Sequence, residues 1–321
     1  MGKNDSSQKI NGKAFALRSQ ESVAKGIKRI ARHQLENAVE ELTSHPEPSE
    51  TVHAVRKRLK RLRAVLRLVR EKLGEKVYRR ENISFRDAAR PLTEVRDAEA
   101  LIESSQALAK HFGADIGIEA FAAVRKALRT HLRAVRKRVL DKEDALTGVT
   151  KALQSAQARV RDWSIKGKGW SSIGGGLKRV YKAGRGAMNA AMTDPTAENM
   201  HEWRKQAKYL WHQIEILEPV WPGLMEELAD QVHTLTQHLG DHHDLFVLRQ
   251  TVIADPESYG GDVHLETVVA LIDRRQEELK CSAFQLGRRC YQDKPAAFTD
   301  RIEGYWKAWR AEGRETKAAA Q

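Results

Sequence analysis

The chain has 321 residues, 56 lysines and arginines against 43 acidic residues, and a formal charge of +13 at neutral pH. That balance points to polyanions as partners (nucleic acid, an anionic membrane surface or a phosphate polymer) and does not bear on fold. No run of about 18 apolar residues is present, which excludes a spanning helix. The polar first 20 residues lack a signal-peptide stretch, and Cys281 and Cys290 match neither a redox nor a zinc motif, so the expected location is the cytoplasm.

After a polar N-terminal segment over 1–19, apolar spacing predicts helices near 20–44, 50–73, 76–110 and 115–142, a first four-helix repeat covering 20–142. His45-Pro46-Glu47-Pro48-Ser49 breaks the chain before the second of these, which Ser49 or Thr51 can cap. Residues 143–171, with Gly167-Lys168-Gly169, read as a connection. A second repeat over 172–291 follows, with helices near 172–193, 196–218, 222–254 and 263–291, separated by Asp194-Pro195-Thr196 and by the turn from Pro219 to Pro222. Residues 292–321 read as a tail with a short helix around Tyr305 to Trp309. No segment alternates as a strand does, so the fold class is all-α. Four-helix units bury their apolar stripes against one another, which predicts two bundles side by side.

The two halves share an ordered set of motifs. His53-Ala54-Val55-Arg56-Lys57-Arg58-Leu59-Lys60 returns as His201-Glu202-Trp203-Arg204-Lys205-Gln206-Ala207-Lys208, the pattern His-x-x-Arg-Lys-x-x-Lys. Gly26-Ile27-Lys28-Arg29-Ile30 matches Gly176-Leu177-Lys178-Arg179-Val180, and Val95-Arg96-Asp97 matches Leu239-Gly240-Asp241. The offsets of 148, 150 and 144 drift as small insertions and deletions would make them. A duplicated unit is the simplest source.

On a helix, residues three, four and seven apart share a face. His53, Arg56 and Lys60 therefore project together, continued by Arg63 and Arg67, opposite an apolar face of Val52, Val55, Leu59, Leu62, Leu66 and Val69. His201, Arg204 and Lys208 do the same in the second copy. A basic helical face is ordinarily a solvated one with acids at i±4. This stripe contains none, and its recurrence favours an anion site. Lysine offers phosphate a point charge, arginine a planar fork, and histidine a neutral donor that charges below neutral pH. The halves are unequal, because 50–73 holds nine lysines and arginines and 198–221 holds three. Further basic stripes lie at Lys28, Arg29 and Arg32, at Lys178, Arg179, Lys182 and Arg185, and along Arg125, Arg129 and Arg136.

Three other readings are weaker. His243-Asp244 is like the metal-binding doublet of HD-type phosphohydrolases, with His212, His233 and His238 as candidate neighbours, yet the first copy has Ala98 and Glu99 nearby and shares only Asp97 with Asp241. That shared Asp reads as an orienting partner for a helical Arg or His. Gly174-Gly175-Gly176 lacks the phosphate-loop spacing and follows no strand, so it is a flexible lead-in to a helix whose free N–H groups can assist an anion. Trp203, Trp211 and Trp221 read as core or interface residues, since they do not interleave with the basic stripes.

The paired His helices, the Val95-Arg96-Asp97 and Leu239-Gly240-Asp241 segments and the Gly176 to Arg185 stretch together resemble the CHAD family, the conserved-histidine α-helical domain, across roughly residues 20–290. The resemblance implies two pseudo-symmetric four-helix bundles around a basic channel or cleft that binds inorganic polyphosphate. It implies binding without catalysis, with no cofactor and no metal, since the chain shows no Glu-x-Glu-x-Lys strand motif of the hydrolytic tunnel domain that often adjoins the family. The expected first-rank contacts are His53, Arg56, Lys57, Lys60, Arg63, His201, Arg204, Lys205 and Lys208. Lys28, Arg29, Arg32, Lys178, Arg179, Lys182 and Arg185 form a second rank. Nucleic-acid binding by the same surface is the competing reading, and a metal-dependent phosphohydrolase at His243 and Asp244 the third. Association with polyphosphate granules, storage, scaffolding and regulation would all use the same surface, and oligomeric state is not legible.

Overall fold

The computed structural model describes residues 14–44, 48–113, 118–259 and 261–319. Among them are eleven α-helices and no strand. In order these are α1 (Val23–Ser44), α2 (Pro48–Leu73), α3 (Glu75–Ala89), α4 (Thr93–Phe112), α5 (Ile118–Arg136), α6 (Ala145–Arg161), α7 (Gly174–Thr193), α8 (Ala197–Leu217), α9 (Pro222–Ala254), α10 (Asp262–Cys290) and α11 (Pro295–Ala319). None is long and apolar enough to cross a membrane. The polar segment expected over 1–19 and the break at His45-Pro46-Glu47 fall largely outside the described residues.

Four expectations are corrected. The helix foreseen over 76–110 is two, α3 and α4, because Pro91 has no N–H to continue the ladder. The matching stretch of the second half has no such proline and runs unbroken as α9. The connection at 143–171 contains α6, whose Ala145, Val149, Leu153, Ala156 and Val160 are buried at helical spacing. The short C-terminal helix is 25 residues long, held by Phe298, Ile302 and Trp306, each one turn apart and buried. Ser49 and Thr51 do not cap α2, which already begins at Pro48, a residue whose fixed φ suits a first helical turn. Thr196, at a predicted break, does cap α8 and accepts from the Asn199 amide at 3.3 Å.

Packing does not divide at the sequence midpoint. The larger apolar cluster joins Ile27, Val55 and Leu59 to Leu177, Trp203 and Phe298, and the smaller joins Leu101, Phe121 and Leu128 to Leu245, Leu248 and Ile272. Each draws on both halves, where the sequence suggested a separate core for each.

Buried charge sets the helices in place. Arg61 of α2 donates to Glu215 of α8 at 2.7 Å, and His212 meets the other carboxylate oxygen at 2.6 Å. Burial opposes the Glu215 charge, but His212 and Arg61 outweigh it and bring its pKa to about 2. Burial lowers His212 to about 4. Arg159 of α6 grips the fully buried Glu81 of α3 through Nε and Nη2 at 3.0–3.1 Å. Breaking either pair would strand a buried charge, so each fixes an inter-helix register.

Candidate functional site

The basic residues of α2 are sorted by face. Off the stripe, Arg58 pairs with Glu41 at 2.8 Å and Arg61 with Glu215 at 2.7 Å, and at the C-terminal end of the stripe's own face Arg70 pairs with Glu75 at 2.9 Å. On the stripe, Arg56, Lys60, Arg63 and Arg67 have no carboxylate partner within salt-bridge distance among the described residues. Their contacts are neutral instead. Arg56 donates to Thr93 Oγ1 at 2.6 Å and to the Ala89 carbonyl at 3.1 Å. Arg63 and Arg67 share Asn82 Oδ1, at 3.2 and 3.0 Å, and the Arg67 guanidinium lies over the Tyr209 ring at 3.8 Å. Arg56, Lys60, Arg63, Arg86 and Arg90 line one pocket of about 480 Å3 that includes no acidic side chain.

The two matched motifs meet. Lys60 lies within electrostatic reach of Arg56, Arg204 and Arg96, and Lys208 of Arg204, Lys60 and Arg96. Burial, then these neighbours, lowers Lys60 to about 8 and takes Lys208 well below the usual lysine value. Lys60 is nevertheless open to solvent. It lines the pocket of about 480 Å3 together with Arg56 and Arg63. Three aspartates face the five cations: Asp97 is felt by Arg56, Asp241 and Asp244 by Arg204, and Asp244 comes within 3.9 Å of the Arg204 guanidinium. Burial raises the pKa of both Asp97 and Asp241, and Asp244 adds to each. Arg56 Nε and Arg204 Nε, at matching positions of the two copies, are both buried without a protein acceptor. Gly240 lies below Arg204, its missing Cβ leaving 3.7 Å to that Nε.

The histidines stand at the edge of this group. His53 and His201 stand at the surface, and partial enclosure of their rings followed by nearby cations lowers both pKa values. The His201 ring is 4.9 Å from that of His243, which burial and Arg204 lower to about 4. Of the other histidines considered as metal neighbours, His212 bonds Glu215 and His233 stacks on Trp211 at 4.0 Å, whereas His238 lies within electrostatic reach of Asp241. No three His, Cys, Asp or Glu side chains are grouped to hold a metal among the described residues.

The remaining predicted contacts are not brought to the same place. Lys57 is exposed and lies toward Arg61 and Glu215, and Lys205 pairs with Glu202 on its own helix. Arg29 is tied to Glu21 at 2.6 Å and to the Ala14 and Ala16 carbonyls, and Lys28 to the Arg161 carbonyl at 3.0 Å. Arg179, the matched partner of Arg29, also pairs with a glutamate, Glu71. Lys178, Lys182 and Arg32 are exposed, and Arg185 lies near Tyr181. Three cations were missed: Arg86, Arg90 and Arg96. Arg96 precedes the repeated Asp97, which is the signal that could have found it; its counterpart is Gly240. Burial would lower Arg96, but a two-pronged bond to Glu103 at 2.7 and 2.8 Å outweighs it and holds the pKa above its usual value.

The glycine run is not a flexible lead-in. A Cβ on Gly176 would stand 1.9 Å from the Leu68 carbonyl oxygen of α2, and one on Gly174 would strike the Trp170 ring. Trp203 is buried as expected and Trp211 partly so, whereas Trp221 is half exposed against Tyr305.

The model of the CHAD domain family matches residues 26–252. Among solved structures, PptA from Streptomyces chartreusis is similar at 15% identity with a TM-score of 0.59, over 85% of this chain and 100% of that one. The CHAD domain from the plant Ricinus communis is similar at 15% identity with a TM-score of 0.54, over 87% of this chain and 94% of that one. No curated protein matches the sequence.

Proposed function

The chain belongs to the CHAD domain family, and we propose that it binds inorganic polyphosphate, without transforming it, in a cationic cleft shared by two duplicated helical units, 20–142 and 172–291. The observation that carries this reading is the meeting of Arg56 and Lys60 with Arg204 and Lys208 around Arg96. A cluster of that sign, with depressed lysines and orphaned arginine donors, is strained in the free protein and relieved by an anion. A linear chain of phosphates fits a row of cations on a long helix better than a single phosphate does. Arg56, Lys60, Arg63, Arg204 and Lys208 are the principal contacts, with His53 and His201 as neutral donors at the rim and Arg96 and Arg90 added. Lys57 and Lys205 act at the margin. Lys28, Arg29, Arg32, Lys178, Arg179, Lys182 and Arg185 contribute general positive field. Charge neutralisation with counterion release supplies most of the affinity, by analogy with DNA.

The test compares Arg56→Ala/Lys60→Ala with Arg204→Ala/Lys208→Ala in polyphosphate binding at physiological salt, with duplex DNA and RNA as competitors. Both double variants should lose at least about tenfold, two contacts at roughly 1–3 kcal/mol for a charged pairing. The first should lose more, because first-half side chains alone line the acid-free pocket. Unchanged binding in both variants, or stronger competition by nucleic acid than by polyphosphate at equal phosphate, would overturn the assignment.

A further inference from the structure

The outer face of α5 carries a second row of cations that the cleft does not use. Arg125, Lys126, Arg129 and Arg133 line a surface pocket of about 380 Å3. At 3.6 residues per turn, Arg125, Arg129, Arg133 and Arg136 fall within about 80° of one another, along about 16 Å of helix. None of the first three has a carboxylate partner among the described residues, and none of the pocket's side chains is acidic. Arg125 Nε donates to the Phe121 carbonyl at 3.2 Å and Arg133 Nε to the Arg129 carbonyl at 3.3 Å. Those bonds lay both side chains along the helix and leave the terminal guanidinium nitrogens for an outside anion.

The row leads to the cleft. At its end Arg136 bonds Glu99 at 2.9 Å, and Glu99 stands 3.9 Å from Arg96, one of the five clustered cations. Glu99 is buried and bridged by both arginines, so it offers no bare negative surface between the two stretches. The chemistry of the row also speaks about its occupant. A protein partner would need apolar anchors at the centre of its footprint. Among the described side chains, the exposed large apolar ones, Ile83, Met192, Trp221, Leu224 and Ile253, all belong to other segments. A single-sign, evenly spaced row suits a flexible chain of repeated charge.

We propose that this face of α5 is an outer track for the same polyphosphate chain, engaged only by chains longer than the cleft accommodates. The proposal rests on the polyphosphate reading of the cleft and adds a source of chain-length preference to it. The test uses the full chain carrying Arg125→Gln/Arg129→Gln/Arg133→Gln, titrated with a short and a long polyphosphate of defined length over a range of salt. Affinity for the long chain should fall about tenfold at low salt. Its logarithmic salt slope should shrink by about 2, three contacts at roughly 0.7 each for a single-stranded polyanion, while the short chain binds as to the wild type. Should the triple variant melt early, Arg129→Gln alone should shrink the slope by about 0.7. Unchanged long-chain binding, an equal loss for both lengths, or a loss confined to duplex DNA would overturn the track while leaving the cleft reading intact. If the wild-type protein bound neither length, the cleft reading itself would fail and the track with it.

Discussion

Lys60 touches water, yet it sits in a ring of Arg56, Arg96 and Arg204, with Asp244 as its counterweight. Burial and these neighbours bring its pKa to about 8, so a fraction of the free protein holds it uncharged under mildly alkaline conditions. The sign for stability follows from linkage. The folded form binds fewer protons than the unfolded chain between about 8 and the ordinary lysine value, so the free protein gains stability as pH rises through that window. Ligand binding has the opposite sign. A phosphate chain favours charged Lys60 and Lys208, so binding takes up protons, and affinity should fall as pH rises from 7 to 9. Lys60→Arg, whose guanidinium keeps its charge, should flatten that fall. A binding series across this range decides the matter. A flat wild-type profile, or an equally steep one in Lys60→Arg, would show that Lys60 does not face the ligand. His53 and His201, lowered by burial, add charge only on the acid side.

At the scale of elements, the site depends on how closely α7 and α8 are held to α2. Gly176 is where the α7 backbone meets the Leu68 carbonyl, with no space for a methyl group. Gly176→Ala must push the helices apart, at a cost of about 1–3 kcal/mol or more. The melting midpoint should drop by several degrees; a midpoint within one degree of wild type would mean that this contact does not set the spacing. The same comparison shows what could be read before the structure. The α2 stripe was legible, because Val52, Val55, Leu59, Leu62, Leu66 and Val69 repeat at helical spacing and are all buried. The breaks at Thr196 and Pro222 were legible from capping and proline chemistry. Helix α6 was not, because two of the five residues of its buried face, Ala145 and Ala156, are alanines, which dilutes any apolar period. Only the Tyr305 to Trp309 part of helix α11 was foreseen, because Phe298, Ile302 and Trp306 are isolated among charged residues and make sense only against Tyr181 and Trp170. The site was half legible. The repeated Arg and Lys positions could be seen to share a face, but not that Arg29 and Arg179 are committed to Glu21 and Glu71 while Arg96 joins the cluster from α4. Such partnerships are set by tertiary packing, and periodicity carries no trace of them.

For the whole molecule, the formal charge of +13 is unevenly placed: many arginines are paired with carboxylates, whereas Arg56, Lys60, Arg63 and Arg67 on α2 and Arg125, Arg129 and Arg133 on α5 have no carboxylate partner among the described residues. Self-repulsion there weakens the folded state, and an anion that binds only the folded arrangement should stabilise it. At a free ligand concentration one hundred times the dissociation constant, linkage adds about 2.7 kcal/mol. In a protein of this size that is roughly a few degrees in melting midpoint. Long-chain polyphosphate should produce this shift at low salt, and less of it at physiological salt, since counterion release contributes less when bulk salt is high. Orthophosphate should produce almost none, because one phosphate cannot span the row from Arg56 to Arg67, about 16 Å of helix. Duplex DNA, a stiff rod, should lag behind a flexible phosphate chain that can follow cations on three helices. Melts with all three ligands at equal phosphate and two salt concentrations separate these cases. A shift by DNA equal to that by polyphosphate would transfer the cationic surface to nucleic acid, and a comparable shift by orthophosphate would reduce it to a site for single ions.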